Sequence, residues 1–256
     1  MNPSAELEAA LEAAACAADI ARSLYLRNVE VRIKADRTPV TEADVRCEMA
    51  IREILEARFP AHGFFGEETD PRDLSAESVW LVDPIDGTKA FVREYPFFST
   101  QIALLRGGEI VLGVSSAPVY GELAHAERGY GAYLNGRPIR VSEIDALCAA
   151  TLSSGNLKSL AASERWPRYG RVVAGVNRVR GYGDFLHYHL LAAGKIDAVV
   201  ESDVHILDIA ACVAIVSEAG GRFTDLAGAP VGLNTTSVLA TNGRLHEKLL
   251  TELGGD

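Results

Sequence analysis

Apolar residues recur at helical spacing from Ser4 to about Arg27, at Leu7, Leu11, Ala14, Ala18 and Leu24. The spacing predicts an amphipathic helix with Ser4 as its N-cap. A second helix is expected from Thr41. Asp44, three positions on, completes the pattern of a capping box, with Asp in place of the usual Glu or Gln. Met49, Ile51, Ile54, Leu55 and Phe59 hold the helical period until Pro60 stops it. Short strand-like runs follow at 63–66, 79–82, 99–105, 110–116, 122–126 and 132–134, punctuated by Gly107-Gly108, Pro118 and Gly129. Asn135-Gly136, between Tyr133-Leu134 and a run over 137–141, reads as a tight hairpin turn. The first half is therefore expected to pack two helices on an antiparallel sheet.

Beyond residue 150 the pattern alternates. Strands are expected at 151–154, 172–174 and 198–200, and helices at 184–193, 207–219 and 244–253. The patterning drops over 141–150, which places a boundary there. Residues 1–145 are expected to form an N-terminal α+β lobe and 146–256 a C-terminal α/β lobe. With no internal repeat and no long linker, two lobes sharing a cleft is the expected arrangement.

Composition narrows the function classes. The chain has 256 residues, 48% hydrophobic, with 35 acidic against 25 Lys and Arg residues and a net charge of −10. That length and apolar content support an ample core. A net acid without a Lys/Arg block is a poor nucleic-acid partner. No apolar run approaches membrane-spanning length, and the acidic start has no basic n-region of a secretory signal. The four cysteines, Cys16, Cys47, Cys148 and Cys212, form no CxxC pair, against a zinc knuckle or a redox motif. Lone cysteines in apolar stretches read as small buried hydrophobes, and the cytoplasm is the natural compartment.

Candidate chemistry lies in three acidic clusters, each at the end of a hydrophobic element. Glu67-Glu68 follows Phe64-Phe65; Asp83-Pro84-Ile85-Asp86-Gly87-Thr88 follows Val79-Trp80-Leu81-Val82; Asp208 sits in Ile206-Leu207-Asp208-Ile209. Carboxylates so placed need a paired charge or a metal. In the middle cluster Pro84 extends the backbone of Asp83 and starts a turn, and Gly87 permits a close approach. Two carboxylates across such a turn can converge on one cation, joined by the Ile85 carbonyl. Hard oxygen donors favour Mg²⁺, Mn²⁺ or Ca²⁺. The same dipeptides also make ordinary surface turns. An EF-hand fails because Val82 falls where Asp is required; GxxxxGK[ST] and GxSxG are both absent.

The combination of Glu67-Glu68, the run Trp80-Leu81-Val82-Asp83-Pro84-Ile85-Asp86-Gly87-Thr88-Lys89-Ala90-Phe91, and a late Asp208-Ile209-Ala210-Ala211 followed by Gly220-Gly221 resembles the inositol monophosphatase superfamily. Its members are metal-dependent, lithium-sensitive phosphomonoesterases. The resemblance implies a layered αβαβα sandwich and a homodimer. It also implies two to three Mg²⁺ ions: Glu67, Asp83 and the Ile85 carbonyl on the first, Asp83, Asp86 and Asp208 on the second, and Glu67 on a third through water. Gly87 and Thr88 would hold the substrate phosphate. Thr88 and Asp44 would activate the attacking water, and Glu68 would support the site from behind. For Asp44 a first-turn capping role is the alternative. Lys34 matches a family lysine, although a surface role is the alternative.

The substrate reading comes from the second half. Gly183-Asp184 and the stretch Val114-Ser115-Ser116-Ala117-Pro118 resemble the histidinol-phosphatase branch, and Glu201 matches an acidic substrate-contact position. Carboxylates at Asp184 and Glu201 suit the ammonium of L-histidinol phosphate. For Asp184 a helix N-cap is the alternative. Leu207 stands where the family usually has Trp, so the substrate-side wall is expected to differ. His187, His189 and His205 are expected to be structural. The rivals are an inositol monophosphatase or broad sugar-phosphate phosphatase, and a non-catalytic phosphometabolite-binding protein. A nucleotide-acting member ranks last, because Lys89-Ala90 stands where those keep Lys-Glu.

Overall fold

The computed structural model describes residues 3–27, 31–33 and 39–254. Helix α1 (Ala5–Leu24) is capped as expected: Ser4 Oγ accepts from the Leu7 amide. Strands β1 (Val31–Ile33) and β2 (Pro39–Thr41) pair antiparallel and lead into α2 (Glu42–Arg58). Met49, expected on the inward face of α2, is instead 60% exposed, whereas Ile51 and Leu55 are fully buried. Lys34 lies outside the described residues.

The first sheet has seven strands in sequential order. These are β3 (Gly63–Gly66), β4 (Ser78–Asp86), β5 (Ser99–Arg106), β6 (Glu109–Ala117), β7 (Glu122–Glu127), β8 (Gly131–Leu134) and β9 (Arg137–Pro138), with α3 (Thr88–Val92) between β4 and β5. Only the β3–β4 pair is parallel. The turn at Asn135-Gly136 has positive φ at both residues, the geometry that matches strand twist in a two-residue hairpin. The strand after it is two residues long rather than the expected run to 141.

The second sheet joins β10 (Thr151–Ser154), β11 (Arg178–Arg180), β12 (Ala198–Ser202), β13 (Arg222–Thr224) and β14 (Ser237–Thr241) in the order β11-β10-β12-β14-β13. Helices α4 (Lys158–Ala161), α5 (Trp166–Gly175), α6 (Asp184–Ala192), α7 (Ile206–Glu218) and α8 (His246–Leu253) complete the chain. Residues 172–174, expected as a strand, lie in the last turn of α5. Their two β-branched valines signal a strand, but Tyr169 and Val172, three apart, are buried together against the core beneath α8, which is helical spacing.

Side-chain alternation on β4 shows the layering. Trp80 and Val82 face the core under α1 and α2, while Val79 and Leu81 face the core under α6 and α7. Both helices of the middle layer also bury residues against β12 and β14, whose other face meets α5 and α8. Helices, seven-stranded sheet, helices, five-stranded sheet and helices make the five-layered αβαβα sandwich.

Helix α7 touches the first sheet so closely that Gly113 on β6 has no room for a side chain. An added Cβ would lie 2.3 Å from the Ala211 carbonyl oxygen. Because α7 carries Asp208, this contact also sets the height of that carboxylate over β4. Gly113→Ala is expected to cost about 1–3 kcal/mol, as overpacking does. Calorimetry should show a lowered Tm, and an unchanged Tm would mean that α7 floats on the sheet.

Candidate active site

Asp83 and Asp86 are three apart on β4, and in a regular strand they would point to opposite faces. They do not, because the ladder slips between them. Asp83 pairs with Gln101 and Asp86 with Ser99, so three steps on β4 answer two on β5. Such a bulge re-aims a side chain, and Pro84 sits in it, where a proline is tolerated within a sheet. The Thr100 hydroxyl donates to the Pro84 carbonyl at 2.9 Å, and the Ile85 amide donates to Asp83 Oδ1 at 3.0 Å, which fixes the turn.

Asp208 arrives from the first turn of α7. It is held by the His205 amide, which donates to Asp208 Oδ2 at 2.9 Å. Carboxylate oxygens of Asp83, Asp86 and Asp208 then lie within 4.8 Å of one another. Glu67 follows β3, whose last residue, Gly66, pairs with Val82 in the parallel ladder, so it emerges beside Asp83.

The electrostatics of the cluster are dominated by the burial and mutual repulsion of its carboxylates. Burial, and then the Glu67, Asp86, Asp208 and Asp44 carboxylates, push the Asp83 carboxyl well above the usual range. Burial does the same to Asp86, with Asp184, Asp208 and Glu201 adding to it. Asp208 is pushed up to about 6, again by burial first, with the His205 amide opposing and Glu67, Glu201 and Asp184 adding. Among the described residues, the largest influences on these three carboxyls include no Lys or Arg. Uncompensated buried carboxylates cost several kcal/mol, whereas a hard divalent cation would satisfy all of them. The residues present therefore fit Mg²⁺ or Mn²⁺.

Asp44 does two things at once. Its Oδ2 accepts from the Thr41 amide at 2.8 Å and the Thr41 hydroxyl at 2.6 Å, closing the expected capping box. Its Oδ1 faces the Thr88 hydroxyl at 3.0 Å, which also lies 3.1 Å from the Ile85 carbonyl. The cap and the contact with Thr88 are thus two edges of one fully buried carboxylate, not alternatives. Gly87 has φ +89° and a Cβ there would stand 2.6 Å from the Phe97 carbonyl, so only glycine fits before Thr88. The Thr88 and Lys89 amides belong to a first helical turn, where no helical carbonyl precedes them.

Glu68 is set apart from this cluster. Its amide donates to Glu48 Oε2 at 2.8 Å, and the residue lines a neighbouring cavity of about 390 Å³ with Arg32 and Val45. Glu48, fully buried on α2, was not anticipated from the sequence. Burial raises its carboxyl, opposed by Thr69 and by the amides of Glu67, Glu68 and Thr69, so this acid ties the Glu67 loop to α2. Its spacing from Asp44, four residues along one helix face, is the signal that could have found it.

A cleft continues from the triad. A cavity of about 50 Å³ is lined by Asp86, Asp208, Asp184, Tyr188 and Glu201, and one of about 260 Å³ adjoins it past Asn156, Gly181 and Gly183. Asp184 is not a cap: Gly183 occupies that position, and Asp184 is the first helical residue, at φ +45°. A left-handed non-glycine residue is strained, though Asp tolerates it better than most. Among the described residues its carboxylate has no hydrogen-bond donor, and burial first, then Glu201, raises it.

Glu201, by contrast, is well held. Oε1 accepts from the Asn156 amide at 3.0 Å and Oε2 from the Tyr188 hydroxyl at 2.7 Å. His187 Nε2 lies 3.1 Å from Oε2, off the line of a hydrogen bond. Burial alone would raise Glu201, but His187, Tyr188 and the Asn156 amide outweigh it and leave the carboxyl below its usual range. Leu207 is 2% exposed and packs in the central core. His205 caps α7 and His189 lies in the core.

The chain is similar to known proteins along nearly its whole length. It is 41% identical over 231 residues to the histidinol-phosphatase of Mycobacterium tuberculosis, covering 88% of each chain. It is 34% identical to inositol monophosphatase 2 of Solanum lycopersicum, covering 96% of this chain and 97% of that one. The crystal structure of the extragenic suppressor protein suhB from Bartonella henselae superposes with a TM-score of 0.90 at 32% identity, covering 98% and 99% of the two chains. The family model described as the inositol monophosphatase family matches residues 2–254, and the chain belongs to that family of phosphatases.

Proposed function

We propose that this protein is a Mg²⁺-dependent phosphomonoesterase that hydrolyses L-histidinol phosphate to L-histidinol and phosphate. The observation that carries the substrate assignment is Asp184, a carboxylate with no donor among the described residues, in a cleft that begins at the acidic triad. An ammonium group of the substrate supplies the missing donor, by a charge-assisted bond. The held carboxylate of Glu201 adds negative potential on the same wall. A relative that bears the name histidinol-phosphatase supports the same reading.

In this reading Glu67, Asp83, the Ile85 carbonyl, Asp86 and Asp208 hold the cations. When bound, these ions lower the pKa of water and stabilise phosphoryl charge in an in-line displacement. The chain itself does the rest. Gly87 and Thr88 present amides to the phosphate oxygens. Asp44 accepts the Thr88 proton and so leaves Thr88 Oγ1 as an acceptor for the attacking water. Asp184 fixes the far end of the ester, which orients the scissile bond over the triad.

An inositol or sugar phosphate is the second reading. The tomato relative bears the name inositol monophosphatase, and Glu201 can accept from hydroxyls as well as from an amine. The two are separated by phosphate release from L-histidinol phosphate and myo-inositol 1-phosphate, side by side with Mg²⁺ and with EDTA. The expected result is a kcat/KM preference of about a hundredfold for histidinol phosphate, roughly 2.7 kcal/mol of discrimination. Equal rates, or a preference for the inositol ester, would remove the substrate assignment and leave the phosphatase chemistry intact.

A further inference from the structure

A row of buried polar side chains leads from Asp86 through the middle of the sandwich. Ser99, Gln101, Ser115 and His189 are each at most 1% exposed. The Ser99 hydroxyl donates to Asp86 Oδ2 at 3.3 Å. Gln101 Nε2 donates to Ser99 Oγ at 2.7 Å and to Ser115 Oγ at 3.0 Å. His189 Nε2 lies 2.8 Å from Ser115 Oγ, and His189 Nδ1 lies 2.8 Å from Glu122 Oε2. Glu122 lines a surface cavity of about 280 Å³, so the row runs from the site to the protein's edge.

With one proton on His189, the donors and acceptors of this row close in a consistent way. Glu122 is acceptor-only when ionised, so Nδ1 of a neutral His189 carries the proton and Nε2 accepts. Ser115 then donates to His189 and must accept from Gln101. The Gln101 amide therefore turns its two N–H bonds toward the serines. Its oxygen faces the Cys212 thiol, a weak donor 3.8 Å away, which agrees with that orientation. Ser99, having accepted from Gln101, has its one proton left for Asp86. If the Gln101 amide were reversed, its oxygen would compete for the Ser99 proton and Asp86 would lose the hydrogen bond. Buried polar networks of this kind are costly unless fully satisfied, and a fully satisfied one specifies a single arrangement.

We propose that His189, oriented by Glu122, is a positioning residue for Asp86, acting through Ser115, Gln101 and Ser99. The row keeps a donor on Asp86 Oδ2 and so fixes the carboxylate that would hold a cation. It also gives Ser115 a part in the site, although Ser115 is far from the substrate cleft in sequence and on a different strand from Asp86. This proposal rests on the assignment of Asp86 as a cation ligand. Partners one bond removed from a metal ligand typically change metal affinity 10–100-fold.

The test is equilibrium binding of Mn²⁺ to the substrate-free protein, with Asp86→Asn, Ser99→Ala, His189→Phe, Glu122→Ala and the Ser99→Ala/His189→Phe pair. The Phe185 ring already packs edge-on to His189 at 5.2 Å, so an aromatic ring suits that position, and Glu122 is near enough to the surface for its loss to be tolerated. Asp86→Asn should remove the Mn²⁺ equivalent that Ser99→Ala weakens. Ser99→Ala and His189→Phe should each weaken it about tenfold, and Glu122→Ala several-fold. The double variant should bind no more weakly than Ser99→Ala alone, since both act on one path. A general loss of packing would move Tm but would not give this non-additivity. If Asp86→Asn removes a Mn²⁺ and the other variants are silent or additive, the positioning role falls and the metal assignment stands. If the unmodified protein binds no Mn²⁺, both fall.

Discussion

Asp83→Asn is expected to lower kcat/KM with Mg²⁺ by about a thousandfold while raising the thermal stability of the metal-free protein. The two effects share one cause. Asn keeps the shape of the side chain and an oxygen for the Ile85 amide, so the turn survives. What it removes is a negative charge that burial and the Glu67, Asp86, Asp208 and Asp44 carboxylates already disfavour. Cation ligation in such a site is worth several kcal/mol of transition-state stabilisation, and about 4 kcal/mol corresponds to the stated loss. For stability the sign is the reverse. Relief of repulsion should raise Tm by roughly 2–4 °C per kcal/mol in a chain of this size.

The pH dependence checks the same point without mutation. The folded state raises Asp208 to about 6, against about 3.9 for a free Asp, and raises Asp83 and Asp86 as well. A carboxyl so raised contributes stability that is fully present below its unfolded value and is lost as pH rises through its folded value. Metal-free protein should thus lose Tm as pH rises from about 4 through 6 and beyond, and saturating Mg²⁺ should reverse the trend. Calorimetry with EDTA and with Mg²⁺ measures both. A variant that stays active, or a metal-free Tm that climbs over this window, would contradict the cation site.

Asp184→Asn is expected to lower kcat/KM for L-histidinol phosphate about a hundredfold and that for 4-nitrophenyl phosphate less than about threefold. A charge-assisted hydrogen bond is worth about 1.5–3 kcal/mol, the upper part of which matches the larger effect. Asn is the informative variant because the position has φ +45°, which Asn tolerates and Ala does not. The shape and the backbone stay, and only the charge leaves. An aryl phosphate has no amine to lose, so it reports on the cation and phosphate end alone. Asp184 also adds to the negative field on Asp86 and Asp208, so its neutralisation should if anything tighten Mg²⁺. Equal losses on both substrates would show that Asp184 serves the metal site and not recognition of the amine.

The separation between what was legible and what was not follows the range of the interactions. Helices α1, α2, α6, α7 and α8 and most strands of the first sheet were readable because period, caps and breakers act within a few residues. The acidic clusters were readable because carboxylates at the ends of apolar runs are costly without partners. Residues 172–174 were misread, since two adjacent valines favour a strand locally and only the core beneath α8 shows that they form a helical face. Met49 was placed inward by its period, yet it is exposed, because the buried face of α2 runs through Cys47, Ile51 and Leu55.

By itself, then, the sequence determined the local elements, the Thr41–Asp44 cap, and the placing of acids at the ends of apolar runs. Tertiary structure alone decided that Asp83 and Asp86 share a face, because the bulge depends on the register with β5. It decided that Asp44 meets Thr88, that Glu48 holds the Glu67 loop, and that Gln101 and His189 lie in line with Asp86. Each of these is a hydrogen bond or a pairing between residues distant in the chain, and such contacts depend on how sheets and helices stack, which local pattern does not encode.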